Sequence, residues 1–336
     1  MPITTVASLR RHLQSALELE HSTIPPYLCA LYSIPDGANT ASSALIRSVV
    51  MEEMLHMLLA ANLLNAIGGE PSVDSPKFVP SYPTYLPHSD RAFMVQLLPF
   101  GTAAIDTFLR IERPAPAHAK PQGNNYHTIG QFYQAILDGF ERVAAGKGGA
   151  RKLFAGKRSR QVTAKAFYGG GGEAIEVVDL DTARAAIMEI SEQGEGFDHT
   201  IFDGDNQFGQ VDELAHYFRF FEIRAGRRFR PTDVPGEPPT GPELLVDWSG
   251  RYPMAPNPKA SEYADRPEIH RLMTEFNRRY TALLKLLHRA FNGTPSIIVE
   301  AVPMMYDVKY RAQALMAIPS GRKDGTTVGP SFEFVS

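Results

Sequence analysis

The sequence predicts an all-α protein, a four-helix bundle with additional helices and long loops, folded as one domain over residues 1–336. Three observations predict it. Most segments between Pro and Gly clusters carry apolar residues at helical spacing. Alternating strand patterns are few. Two Glu-x-x-His motifs, Glu53 to His56 and Glu213 to His216, fall on predicted helices. With 43% hydrophobic and 21% charged residues, the chain can bury a sizeable core.

Residues 5–22 read as an amphipathic helix, with Leu9, Leu13, Ala16 and Glu20 on one stripe and Arg11, Gln14, Ser15 and Glu18 on another. Thr23-Ile24-Pro25-Pro26 is expected to break or kink it, because proline removes a donor and clashes with the preceding turn. A short apolar piece over 27–34 follows. The strongest helix spans 41–67, where Val49, Glu53, His56, Ala60, Leu63 and Ile67 form one stripe closed by Gly68-Gly69 and Pro71. Residues 72–90 read as an ordered loop. Residues 91–112 return to helix, with Ile105, Phe108 and Glu112 in line ahead of Pro114.

Another helix fits 128–145, and the basic, glycine-rich stretch 146–180 reads as a loop or lid, with a short strand piece at Glu176-Val177-Val178. Helices are expected again at 181–196 and 210–224, then at 265–292 and 295–317 after a Pro- and Gly-rich segment over 228–260. The core bundle helices fall within 5–67 and 181–224. Residues 72–180 are then an insert, and the helices of 265–317 pack on the bundle.

A net charge of −3 with no concentrated basic face argues against nucleic acid and anionic membranes as partners. The basic stretch Lys147 to Lys165 reads as a solvated loop. A single cysteine, Cys29, forms no internal disulfide, zinc-thiolate or iron–sulfur site, and its apolar neighbours indicate packing. No apolar run approaches the ~20 residues that span a bilayer. The first residues lack a signal-peptide pattern, so the cytoplasm is the expected location. A homo-oligomer is compatible with the sequence.

On a helix, side chains three apart point the same way, so each Glu-x-x-His can hold a metal ion from one face. Two such motifs plus one Glu from each of two other helices build a dinuclear bundle site. Glu53 and His56 share the apolar stripe of their helix, and an unpartnered buried carboxylate is costly. A buried Glu–Arg pair is the bland reading of any one acid; Glu20, Glu53 and His56 together favour metal.

By the same test Glu195, which follows Ile187, Met188 and Ser191, is preferred to Glu192, which aligns with Arg184 and Glu189. Glu112 also lies on an apolar stripe, where ligation and pairing with an arginine stand as alternatives. The candidate metal set is therefore Glu20, Glu53, His56, Glu112, Glu195, Glu213 and His216. His199 is a candidate outer group. Carboxylate and imidazole donors suit two iron ions, with manganese nearly as well matched.

The ordered motifs Leu17-Glu18-Leu19-Glu20, Thr23-Ile24-Pro25-Pro26-Tyr27-Leu28 and Glu52-Glu53-Met54-Leu55-His56-Met57 resemble a known group. Ile111-Glu112-Arg113-Pro114, Gln193-Gly194-Glu195-Gly196, His216-Tyr217-Phe218-Arg219-Phe220 and Gly329-Pro330-Ser331-Phe332-Glu333 extend the match. The chain resembles ferritin-like proteins, in particular the ferritin-like region of iminophenyl-pyruvate dimer synthases of violacein-type bisindole pathways. The resemblance implies a ferritin-like fold and a Glu/His metal site. The leading expectation is a di-iron oxidase or oxygenase acting with dioxygen on a small organic, amino-acid-derived substrate. A metal-handling protein (a ferroxidase or a dimanganese peroxide-disproportionating centre) and a non-catalytic structural bundle are the other two readings.

Overall fold

The computed structural model describes residues 2–116, 118–146, 149–167, 171–196, 200–204 and 212–336. Within them the chain is helical: α1 Val6–Tyr32, α2 Thr40–Ala66, α3 Thr102–Ile111, α4 Ile129–Ala144, α5 Gly149–Leu153, α6 Leu180–Glu195, α7 His216–Ala225, α8 Pro267–Phe291 and α9 Ala301–Met316. Only isolated β-bridges occur among the described residues, so the strand expected at 176–178 is absent. No described helix is long and apolar enough to cross a membrane.

The expected break at Pro25 and Pro26 is corrected: α1 runs through both. Pro26 leaves the carbonyl of Ser22 without its helical donor, and the Tyr82 hydroxyl donates to that oxygen at 2.8 Å. A tertiary partner thus replaces the lost bond. The start of α1 is fixed by Thr5, whose hydroxyl accepts from the Ser8 N–H.

The third predicted helix is shorter than expected and begins at Thr102 instead of residue 91. Pro99 disfavours helical geometry at Leu98, and Val95 is bridged to Thr84.

α1 packs along α2. The other side of the bundle is made of shorter helices: α3 packs on α7, and α4 on α6. α1 touches both α3 and α4, while α2 touches both α6 and α7, so the third and fourth bundle positions are each filled by two helices in succession. α4, inside the 72–180 segment, is thereby a wall of the bundle. α8 and α9 pair with each other and lie against α2 and α1 respectively. Phe332 in the C-terminal strap packs edge-on against Phe276 and Tyr280 of α8.

Candidate metal centre

Ends of the short helices bring side chains into the middle of the bundle beside those of α1 and α2. Glu20 comes from α1, Glu53 and His56 from α2, Glu112 from the C-cap of α3, and His216 from the first residue of α7. All five are buried. Their ligand atoms fall into two groups, Glu20–Glu53–His56 and Glu53–Glu112–His216, each with every atom within 4.8 Å of the others. Glu53 belongs to both. The two imidazoles stack with ring centroids 5.4 Å apart.

Each donor is held from behind. Tyr133 donates to Glu20, Tyr27 donates to Glu112, and Thr23 donates to Glu53 Oε2 at 2.5 Å. His56 Nε2 faces Gln193 Oε1 at 2.8 Å, leaving Nδ1 turned to Glu20 and Glu53 at 3.6 and 3.7 Å. His216 Nε2 faces Glu52 Oε2 at 2.8 Å, and its Nδ1 lies 3.1 Å from Glu53 Oε1 and 3.5 Å from Glu112 Oε2. Neither of the latter contacts has hydrogen-bond geometry, so Nδ1 is a buried polar atom without a hydrogen-bond partner.

Glu52 in turn receives Arg219 Nη1 at 2.6 Å, and Arg219 Nη2 reaches Asp203 at 3.2 Å. The sequence alone gives Thr23, Tyr27, Tyr133, Glu52, Gln193 and Arg219 no role. All but Tyr133 lie within the quoted motifs, and Arg219 stands one helical turn after His216.

The charges respond to this crowding. Burial raises the Glu112 carboxyl, and neighbouring Glu53 raises it further. Burial disfavours charged imidazoles, yet Glu112, Glu52 and Glu53 outweigh it and hold His216 well above its ordinary value. His56 is raised in the same way, with Glu20 and Glu53 overcoming burial. Burial also works against an ionised Glu52, but Arg219 and His216 overcome it and hold that carboxyl below its ordinary value. Four buried carboxyl groups and two imidazoles thus crowd together, and Arg219 meets only one of them, Glu52, so the remaining three carboxyl groups draw in cations.

Two candidate ligands stand elsewhere. Glu195 is half-buried, and its Oε1 accepts from the Gly130 N–H at 2.7 Å and its Oε2 from the Ala115 N–H at 2.9 Å. It caps the chain entering α4, and a Cβ on Gly130 would sit 2.4 Å from its Oε2. Burial pushes its carboxyl up to about 7. Glu213 lies before α7, not on it; its side chain is 59% exposed and reaches Arg219 Nη2 at 3.3 Å. The second Glu-x-x-His is therefore not a helical pair, because the helix begins at His216 itself. Glu192 is not in either group, and His199 lies outside the described residues.

Fold and site together define a helical bundle protein with a buried, paired carboxylate–histidine centre. The chain belongs to the ferritin-like family, whose model matches residues 13–225. It is 26% identical to dichlorochromopyrrolate synthase of Lentzea aerocolonigenes, over 99% of this chain and 36% of that protein. It is 28% identical to 2-imino-3-(indol-3-yl)propanoate dimerase of Chromobacterium violaceum, over 98% of this chain and 34% of that protein. The chain thus spans about a third of the length of these curated relatives. The crystal structure of a ferritin like protein from Caulobacter vibrioides superposes with a TM-score of 0.63 at 22% identity, covering 98% of this chain and 100% of that one, which bears on the fold alone.

Proposed function

We propose that the protein is a dinuclear metal carboxylate oxidoreductase, with Glu20, Glu53 and His56 holding one ion and Glu53, Glu112 and His216 the other. The observation that carries this reading is the pair of buried donor groups sharing Glu53, with His216 Nδ1 turned into its group beside the Glu53 and Glu112 carboxylates and without a hydrogen-bond partner. A buried imidazole nitrogen left unpaired is costly unless a cation meets it. The donor set of carboxylates and imidazoles suits iron, with manganese as the second candidate. When bound, two such ions supply redox chemistry toward dioxygen.

The protein's own part is orientation and exclusion of water. Gln193 Oε1 and Glu52 Oε2, by accepting from the Nε2–H groups of His56 and His216, fix the tautomers that present Nδ1 inward. Tyr133, Thr23 and Tyr27 hold one oxygen each of Glu20, Glu53 and Glu112, so each carboxylate keeps its other oxygen for the centre. The raised basicity of both imidazoles means that cation loading displaces protons.

The substrate class, a small amino-acid-derived molecule, is supported by the names of the two relatives, which concern an indolyl imino acid and a chromopyrrolate.

The test is elemental analysis of protein purified without chelators, with Glu53→Ala and His56→Ala alongside. The reading expects about two iron or manganese ions per chain, lost in both variants. Absence of metal even after anaerobic reconstitution with ferrous iron would overturn it and leave the structural bundle.

A further inference from the structure

A second feature lies on the other side of α2. A cavity of about 1000 Å³ opens between the C-terminal half of α1, α2, α8 and α9. Its position follows from helix geometry: Met51, Met54 and Leu58 of α2 line it, and they project from a different face of α2 than Glu53 and His56. The cavity therefore stands apart from the candidate metal centre, and no residue of either donor group lines it.

The volume is at the upper end of small-molecule sites, ~300–1,000 Å³. Its walls are those of an adaptable apolar site. Phe167, Phe291 and Tyr306 provide aromatic surface, and Met51, Met54 and Met305 provide unbranched, polarizable side chains that re-pack around a guest. Tyr306 is 56% exposed, a large apolar ring left in solvent at the border of the cavity.

The charged residues that line the cavity are Arg47, Lys309 and Asp36. Arg47 lines it, is exposed, and makes no ion pair or hydrogen bond among the described residues. Lys309 lines it too, and the acid nearest to it is Asp36, 3.9 Å away and itself 84% exposed. Two cations thus face one loosely held carboxylate over an apolar body.

We infer that this cavity is a binding site for an amphipathic organic anion with an aromatic body, its rings seated between α2 and α9 and its acid group at Arg47 and Lys309. The inference is independent of the metal reading, since it uses none of those residues.

The test uses two fluorescent probes of nearly the same shape: 8-anilinonaphthalene-1-sulfonate and its uncharged counterpart N-phenyl-1-naphthylamine. Titration of the full chain is expected to show one saturable site per chain for each, with the neutral probe displacing the anion. Leu58→Trp and Met305→Trp fill the cavity from opposite walls, and each is expected to weaken both probes on the order of tenfold or more. The surface pair Arg47→Gln with Lys309→Gln is expected to weaken the sulfonate roughly fivefold while leaving the neutral probe unchanged. Circular dichroism and metal content should stay those of the parent in the charge variant. Equal loss of both probes in that variant, binding insensitive to both tryptophans, or no saturable binding would overturn the proposal. So would a dimer in sedimentation that shields the cavity and excludes the probes, which would assign this face to a second copy.

Discussion

Replacement of Arg219 by Met tests the electrostatic support of the site. The guanidinium is 2% exposed and donates to Glu52 at 2.6 Å, Ser48 at 2.9 Å and Asp203 at 3.2 Å, besides the Leu214 carbonyl. Methionine fills much of the same volume but leaves the Glu52 carboxylate without its guanidinium partner, with only His216 beside it. Removing one partner of a buried pair costs about 3–5 kcal/mol, because the remaining charge stays desolvated. Unfolding entropy of about 2.1 cal/mol/K per residue, taken over 336 residues, is about 0.7 kcal/mol/K. The expected fall in Tm is therefore about 4–7 °C. The assay is thermal and urea unfolding of chelator-treated protein, with Glu52→Gln and the double variant completing a cycle. Because Glu52 loses its reason to be charged, the double variant should be more stable than the sum of the singles by about 1–3 kcal/mol. A single-variant loss below about 1 kcal/mol, or strict additivity, would refute the claim that Arg219 is the ionic partner of Glu52.

Other outcomes separate the remaining candidate groups by role. Glu213→Ala should keep full metal content and cost under about 1 kcal/mol, since its carboxylate is mostly solvated, whereas His216→Ala should lose metal; elemental analysis decides between them. Glu195 has a folded value of about 7 against an ordinary 4.5, so the stability tied to its proton is complete below pH 4.5 and is lost as pH rises through 7. Glu195→Gln should flatten the pH 5–8 stability profile by about 3 kcal/mol in urea unfolding; an unchanged slope would contradict the assignment. Burial lowers His21 from 6.5 to about 3, which acts in the opposite sense: stability is full above pH 6.5 and declines as pH falls toward 3. His21→Phe should therefore remove about 2 kcal/mol of the loss between pH 6.5 and 4.5, whatever constant cost comes from the stranded Tyr280 hydroxyl.

What the sequence makes legible follows from how regular the local backbone is. Glu20, Glu53 and His56 sit inside α1 and α2, helices of 27 residues each, where the 3.6-residue period fixes the inward face. Apolar neighbours on that face therefore mark their burial. The period gives no such guidance at helix ends. Glu112 is a C-cap and Glu195 the last residue of α6, so a stripe that predicts burial for both cannot tell an inward donor from a backbone cap. The Glu213 expectation rests on helical spacing across 213–216, a spacing that holds only inside a helix, and α7 starts at its last member. Pro25 and Pro26 mislead for a different reason, since Tyr82, 60 residues from Ser22, supplies the missing donor. Glu52 shares that difficulty: it pairs with an arginine 167 residues away, which no local pattern reports.

The departures of the site from regular helical spacing have one structural cause. Because the third and fourth bundle positions are each filled by two helices, helix ends arise where an unbroken helix would present side chains at regular spacing. At one end Glu195 turns to the N–H groups of Ala115 and Gly130; at another His216 enters alone, without an upstream Glu on the same face. The centre then has three inward carboxylates and two imidazoles, with Glu53 shared, in place of the four carboxylates of a site built from two helical Glu-x-x-His motifs and one Glu from each of two other helices. On the proposed reading, each ion has only one carboxylate of its own, one imidazole and the shared Glu53. Fewer protein donors leave more positions for exogenous molecules, which favours catalysis over a closed structural site.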